Sequence, residues 1–313
     1  MTDLTTKEQD TLTNEATILK RMGSEEALYN VRCIVNFLKK NKLSLGYTKG
    51  TTASMFTNYE MGLSHINPLE YGLLSERNYL RKPFQGYELP HHLKPFFGIR
   101  LNKESYKKTN VYLTQNKCTK EMLEFYNIDI SYDKRLDNIK VYKRYNFKQL
   151  SKLAIQRSKI DTVYPITNFN DYINVQTYNI AKGLKDFWTP ELISTYHSLT
   201  DKYSFLKINN SFNVILFQEE WMVVVKKITG LSIHNVNLFR RASSKKVHLK
   251  ELENRFKSKL KEKITVTKDF KQIYDILMNS IIYLHCKAHI VSDLYIDLVT
   301  DIDLSAKKKT TNG

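Results

Sequence analysis

Four cations crowd into one short stretch, "LFRRASSKK" at 238–246: Arg240, Arg241, Lys245 and Lys246. Like charges so close repel one another, so the run either faces water or meets an anion. Arginine suits phosphate through its bidentate fork, and lysine meets it as a mobile point charge. A second stretch, "GYTKGTTASM" at 46–55, sets glycines and hydroxyls ahead of an expected helix. Backbone N–H groups at a helix N-terminus also suit phosphate, although this spacing matches no standard phosphate loop. Metal chemistry finds less support. His91 and His92, with Glu88 and His65, are possible ligand types for a transition metal. Adjacent histidines on a strand point to opposite faces, however, so no shared ion is expected. Cys33, Cys118 and Cys286 form no Cys-x-x-Cys, which implies neither a zinc site nor a disulfide framework and fits a reducing cytoplasm.

The chain has 313 residues, room for one large domain or two medium ones. Lys plus Arg is 49 against 32 for Asp plus Glu, a net charge of +17. That surplus favours a polyanionic partner, because each phosphate contact releases counterions. Abundant Asn, Lys, Tyr and Ile are also what an AT-rich genome gives, which weakens the charge argument. No apolar run of about 18 residues suggests a membrane span, and residues 1–10 do not read as a secretory leader.

The elements that must hold these residues follow from spacing. Residues 14–22 read as a helix closed by Gly23. Ser24 is expected to cap a second helix whose apolar positions are Leu28, Val31, Ile34, Val35 and Leu38. A short strand, a glycine turn and hydroxyl-rich residues leading into a helix are expected over 42–55. The middle, roughly 101–205, is harder to read. "NVILF" (213–217) reads as a strand, and "QEEWMVVVKKITG" (218–230) as a helix with Trp221 in the core. Further helices are expected over 233–242, 247–263 and 269–284. Their inward residues include Val247, Leu249, Leu252, Phe256 and Leu260, then Phe270, Ile273, Leu277 and Ile281. The last residues, 305–313, read as a disordered basic tail.

Residues 213–246, "NVILFQEEWMVVVKKITGLSIHNVNLFRRASSKK", resemble the fingers of the bacterial DNA polymerase III alpha subunit, a C-family polymerase. The family pattern is Gly-Val-Ile-hydrophobic-Tyr-Gln-Glu-Gln, a Thr/Ser-Gly turn, then Leu-Arg-Arg-Ala-Met-x-Lys-Lys. "YLHCKAHI" (283–290) is similar to the family's Tyr-Gly-Phe-Asn-Lys-Ser-His-Ala. "NPLEYGLLSER" (67–77) and "GYTKGTTASM" resemble two palm blocks in the same order, and "ITNFNDYI" (166–173) a segment before the fingers. The resemblance implies an α/β (α+β) fold, a nucleotidyltransferase-like palm followed by a mainly helical fingers domain. The expected division is a palm at 1–130, a divergent connection at 131–205, fingers at 206–304 and the tail at 305–313. It implies that Arg240, Arg241, Lys245 and Lys246 meet phosphates, with Gln218 and Lys287 nearby, and that Lys49, Gly50 and Thr51 hold the nucleotide's phosphate end. His289 reads as a structural hydrogen-bonding residue within the fingers rather than a general acid.

One departure from the family is chemical. Its palm carries Pro-Asp-Ile-Asp-Ile-Asp-Phe, whose aspartates ligate two magnesium ions. The matching stretch reads "PHHLKPF" (90–96), with His91, Leu93 and Pro95 at the aspartate positions. No Asp occurs between Asp10 and Asp129, and Glu88 and Glu104 do not form the i, i+2 pair that two-metal chemistry needs. A third family carboxylate, on a later strand, would fall near Tyr112. The expectation is therefore a replication-related protein without catalytic residues, resident metal or cofactor, that binds DNA (primer–template or single strand) or nucleotide phosphates. Replisome proteins are further candidate partners, and no membrane is. Two alternatives stay open. One is an active divergent polymerase or nucleotidyltransferase using Mg²⁺, completed by displaced acids or a partner subunit. The other is an interaction protein without DNA affinity.

Overall fold

Thr5 and Glu8 open the chain with a reciprocal cap, the Glu8 carboxylate accepting from the Thr5 N–H at 2.9 Å. The first helix therefore starts earlier than apolar spacing alone suggests. In the computed structural model the described residues are 4–45, 47–48, 50–79, 95–137, 145–157, 165–245 and 250–310; of 79, 180, 182 and 301–310 the backbone alone is described. The chain divides into two compact units. One comprises 1–83, 87–153 and 288–313; the other comprises 84–86 and 154–287.

The first unit carries α1 (Thr6–Arg21), α2 (Glu25–Lys40), a 3₁₀ turn (Gly50–Ser54), and the short helices α3 (Phe56–Glu60), α4 (Pro68–Tyr71) and α5 (Glu76–Tyr79). β1 (Phe97–Leu101), α6 (Lys103–Gln115), α7 (Lys120–Phe125) and β2 (Ile128–Tyr132) follow, and α8 (Phe147–Arg157) lies at the boundary. The strands run parallel, with Phe97 opposite Ile128 and Leu101 opposite Tyr132. Alternation sends Phe97, Ile99, Leu101 and Ile128 into a core with Val31, Ile34, Val35 and Leu38 of α2 and Leu113 of α6. Each such side chain, fully buried, contributes about 1.5–3 kcal/mol. The α2 stripe agrees with its spacing. Ser24 precedes the helix as expected but makes no side-chain cap; its hydroxyl lies 3.4 Å from the Met22 carbonyl. The short strand expected at the start of 42–55 is reduced to one bridge, Thr48 against Ile99.

The second unit is helical: α9 (Phe169–Ile180), α10 (Lys182–Phe187), α11 (Pro190–Lys202), α12 (Gln218–Thr229), α13 (Ile233–Ser244), α14 (Lys250–Lys263) and α15 (Thr267–Ser280). A ladder of rings ties them together: Trp221 to Phe239 at 5.8 Å, Phe239 to Phe256 at 5.4 Å, Phe256 to Tyr274 at 5.9 Å. Trp221 is fully buried, and its indole N–H donates to the Leu277 carbonyl at 2.7 Å. Gly230 ends α12 in a left-handed conformation, φ +63°.

The last helix, α16 (Lys287–Thr310), departs from expectation in two ways. From residue 288 it belongs with the first unit rather than with the fingers-like helices. It also runs through Thr310, into the segment expected to be a disordered tail. The α/β class holds: the chain is mostly helical, with one small parallel sheet in the first unit. No described helix is long and apolar enough to cross a membrane.

Candidate functional site

The Gly50 turn is built around a conformation that only glycine adopts easily. Its φ is +54°, and a Cβ there would lie 2.8 Å from Nε2 of His289. His289 thus belongs beside the turn in the first unit, which corrects the expectation that it bonds within the fingers. The Ser292 hydroxyl lies 3.4 Å from the Gly50 carbonyl. Thr51 is buried, and its hydroxyl has no hydrogen-bond partner among the described residues. Thr52 bridges turn and sheet: its Oγ1 accepts from the Gly98 N–H and donates to the Phe96 carbonyl at 3.2 Å. Lys49 lies outside the described residues.

β1 runs beside this turn, just after the segment that matches the family's aspartate motif. Its core face is Phe97, Ile99 and Leu101; the opposite face carries Gly98 and Arg100, paired in register with Asp129 and Ser131 of β2. Two positions apart on one face is the placement two-metal carboxylates need, and a glycine and an arginine fill it. The Arg100 guanidinium donates to Asp293 of α16 at 2.9 Å and lies 3.9 Å from Asp133. Arg135 joins Asp133 at 2.9 Å and Asp297 at 3.4 Å. Burial works against ionisation of Asp133, but hydrogen bonds from Arg135 outweigh it and hold the carboxyl below its usual range. Sequence reasoning missed this cluster, because its members come from β1, the segment after β2, and α16.

The positions where aspartates were expected sit just before that strand. His91 and Leu93 lie outside the described residues, as do His92 and Glu88. Pro95 is buried, and its carbonyl accepts from the Asn127 amide at 3.0 Å. Tyr112 is helical, in α6, and stacks on Phe37 with ring centroids 4.1 Å apart. It marks no later strand, which corrects that placement; the next strand is β2. His65 is buried, its ring edge-on to Tyr47 at 4.8 Å.

In the second unit the "QEE" that opens α12 is spent on local structure. Gln218 donates from its amide to the Leu284 carbonyl at 2.9 Å, and its backbone N–H to the His285 carbonyl at 2.9 Å. The Glu219 carboxylate accepts from the Lys287 N–H at 2.9 Å. Glu220 turns back to accept from the Leu216 and Phe217 N–H groups at 2.8 and 3.2 Å, and from Asn210 at 3.0 Å. Burial pushes its carboxyl up despite Lys287 nearby. The Lys287 ammonium lies 5.3 Å from the centre of the Phe217 ring. Gln218 and Lys287 are therefore both tied into the junction of α12 with the 284–287 segment, Lys287 through Glu219 and Phe217.

The opening cations divide by environment. Arg240 is 6 % exposed and donates from Nε to Asn237 at 3.1 Å, an inward-facing pair within α13. Arg241 is half-buried in the last turn of α13, and Lys245, which caps it, is exposed. Cations at a helix C-terminus are favoured by the dipole whether or not a ligand is present. Lys246 lies outside the described residues, as do Val247 and Leu249; Phe256 and Leu260 of α14 are buried as expected.

Two family models match the chain. The bacterial DNA polymerase III alpha NTPase domain matches residues 1–83, and the finger domain of the same subunit matches 191–264. Curated relatives include the DNA polymerase III subunit alpha of two strains of Staphylococcus epidermidis, each 33 % identical over 66 residues. Those residues are 21 % of this chain and 6 % of each relative, so the chain matches a small part of their length. Through these two domains the chain belongs to the bacterial DNA polymerase III alpha subunit family.

Proposed function

We propose that this is a cytoplasmic, replication-related protein that binds nucleic-acid or nucleotide phosphates through Arg241, Lys245 and Lys246, and that it does not polymerise DNA. The observation that carries this reading is the outer face of β1, which carries Gly98 and Arg100 rather than two carboxylates. Magnesium takes carboxylate oxygens and dehydrates reluctantly. A guanidinium already bound to Asp293 offers it repulsion instead. Without the ions, the charge developed in phosphoryl transfer has no counterweight. Gln218 and Lys287 enter as supporting residues of the same unit, and Lys49, Gly50 and Thr51 as a candidate phosphate contact of the first unit by itself. Arg240, turned inward, supports α13 rather than a ligand.

The test is a titration of fluorescently labelled DNA at several salt concentrations. Binding is expected to weaken steeply with salt, and Arg241→Ala with Lys245→Ala to weaken it further and flatten the slope by about one to two. Salt-insensitive binding, or none, would leave the interaction-protein reading in its place.

A further inference from the structure

A second cationic stretch follows the run at 240–246 in the helical unit. Along 257–271 the chain carries Lys257, Lys259, Lys261, Lys263, Lys268 and Lys271 against Glu262 and Asp269. The two acids are spent locally. Glu262 holds Lys259 at 2.7 Å, and Asp269, 5 % exposed, accepts from Lys202 at 3.2 Å and from the Tyr203 hydroxyl at 3.0 Å. Lys261, Lys263, Lys268 and Lys271 have no carboxylate partner among the described residues. These cations are interleaved with rings. The Lys261 ammonium stands 5.8 Å over Phe270 and that of Lys263 6.0 Å over Phe205; Lys257, 5.1 Å over Tyr274, is already paired with Glu253 at 2.7 Å. Phe270 and Tyr274 lie nearly parallel, and Phe205 sits 5.8 Å from Tyr203. None of the four rings is fully buried.

A merely solvated basic face needs no rings beneath its ammonium groups. Half-open aromatic faces among uncompensated lysines are what single strands use: bases stack on the rings while the cations follow the backbone. A lysine resting on a ring in water is held weakly, so a base can displace it and leave the ammonium to a flanking phosphate. We infer that the α14–α15 edge, with Phe205, is a binding surface for single-stranded nucleic acid. This surface is separate in sequence from Arg241 and Lys245 and does not depend on their role.

The full chain would be titrated with a labelled single-stranded oligothymidylate and with a duplex of equal length. The variants are Lys261→Ala with Lys263→Ala, Phe270→Leu, and Arg241→Ala with Lys245→Ala, each checked for an unchanged circular dichroism spectrum. The lysine pair is expected to weaken single-strand binding about tenfold and to lower the salt slope by about 1.4, two phosphate contacts at about 0.7 each. Phe270→Leu is expected to weaken it several-fold with the slope unchanged, and the duplex to lose less in both cases. Wild-type affinity in the Lys261/Lys263 variant, with loss confined to the Arg241/Lys245 variant, overturns this inference alone. Loss with the lysines but none with Phe270→Leu, or equal loss for duplex, overturns the single-strand assignment. No binding by the unaltered chain removes both this surface and the proposed function.

Discussion

Replacing Arg100 by methionine keeps its stem volume and removes the charge that joins β1 to α16. The side chain is 12 % exposed, and Asp293, at 2.9 Å, is 46 % exposed. Breaking a fully buried pair costs about 3–5 kcal/mol, whereas an exposed pair contributes about 0.2–1 kcal/mol. Asp293 stands half in water, and Arg135 remains 3.7 Å from it and 2.9 Å from Asp133. The loss should therefore fall between those limits, at about 2 kcal/mol, or roughly a thirtyfold shift toward the unfolded state. Urea unfolding would read it as a lower midpoint at unchanged slope. Asp293→Asn and the double variant complete a cycle, in which a coupling of about 1 kcal/mol or more is expected. A midpoint equal to wild type, or single-variant losses that simply add, would refute the idea that this guanidinium clamps sheet to helix.

Other perturbations have equally definite outcomes. Gly50→Ala must place a Cβ 2.8 Å from His289 at φ +54° and should cost about 2–4 kcal/mol; Gly230→Ala, at φ +63° with open space around it, should cost only about 1–2 kcal/mol. Thermal unfolding separates the two, and equal losses would mean that the His289 contact is unimportant. Burial raises the Glu15 carboxyl above its ordinary value of 4.5, against hydrogen bonds from Thr57 and Phe56. A raised folded value means that its contribution is fully present at low pH and fades as pH rises through that value. Glu15→Gln should therefore flatten the fall in stability above about pH 4.5 in unfolding midpoints measured across pH. Trp221→Phe removes the indole donor to Leu277 along with packing volume, and should lower stability by about 2–3 kcal/mol by urea unfolding.

Helices with a strong apolar stripe were legible from spacing: α2 through Val31 to Leu38, α12 through Trp221 to Ile228, α14 through Phe256 and Leu260. "NVILF" was not. Val214 to Phe217 are all fully buried, as a central strand would be, yet apart from one parallel bridge of Phe217 with His285 their backbone bonds go elsewhere. Asn210 donates to the Val214 carbonyl, Trp188 to that of Ile215, and Glu220 accepts from Leu216 and Phe217. An apolar run shows burial; only the partners of its amides show whether it is a strand. β1 was missed although its alternation is intact, since it is only five residues long and its outer positions, Gly98 and Arg100, are poor strand signals. The two were chosen by what surrounds them, a threonine turn and an aspartate from α16 nearly two hundred residues away. Spacing likewise cannot separate Arg240, packed on Asn237, from Arg241 beside it.

The reading of lost chemistry on a retained fold meets its most direct test in primer extension. The pure chain would be incubated with labelled primer–template and all four deoxynucleoside triphosphates, with Mg²⁺, with Mn²⁺ and with chelator, and the same samples scored for DNA binding. The account expects bound DNA in every sample and no lengthened primer in any. Primer lengthened only when a divalent ion is present would contradict it.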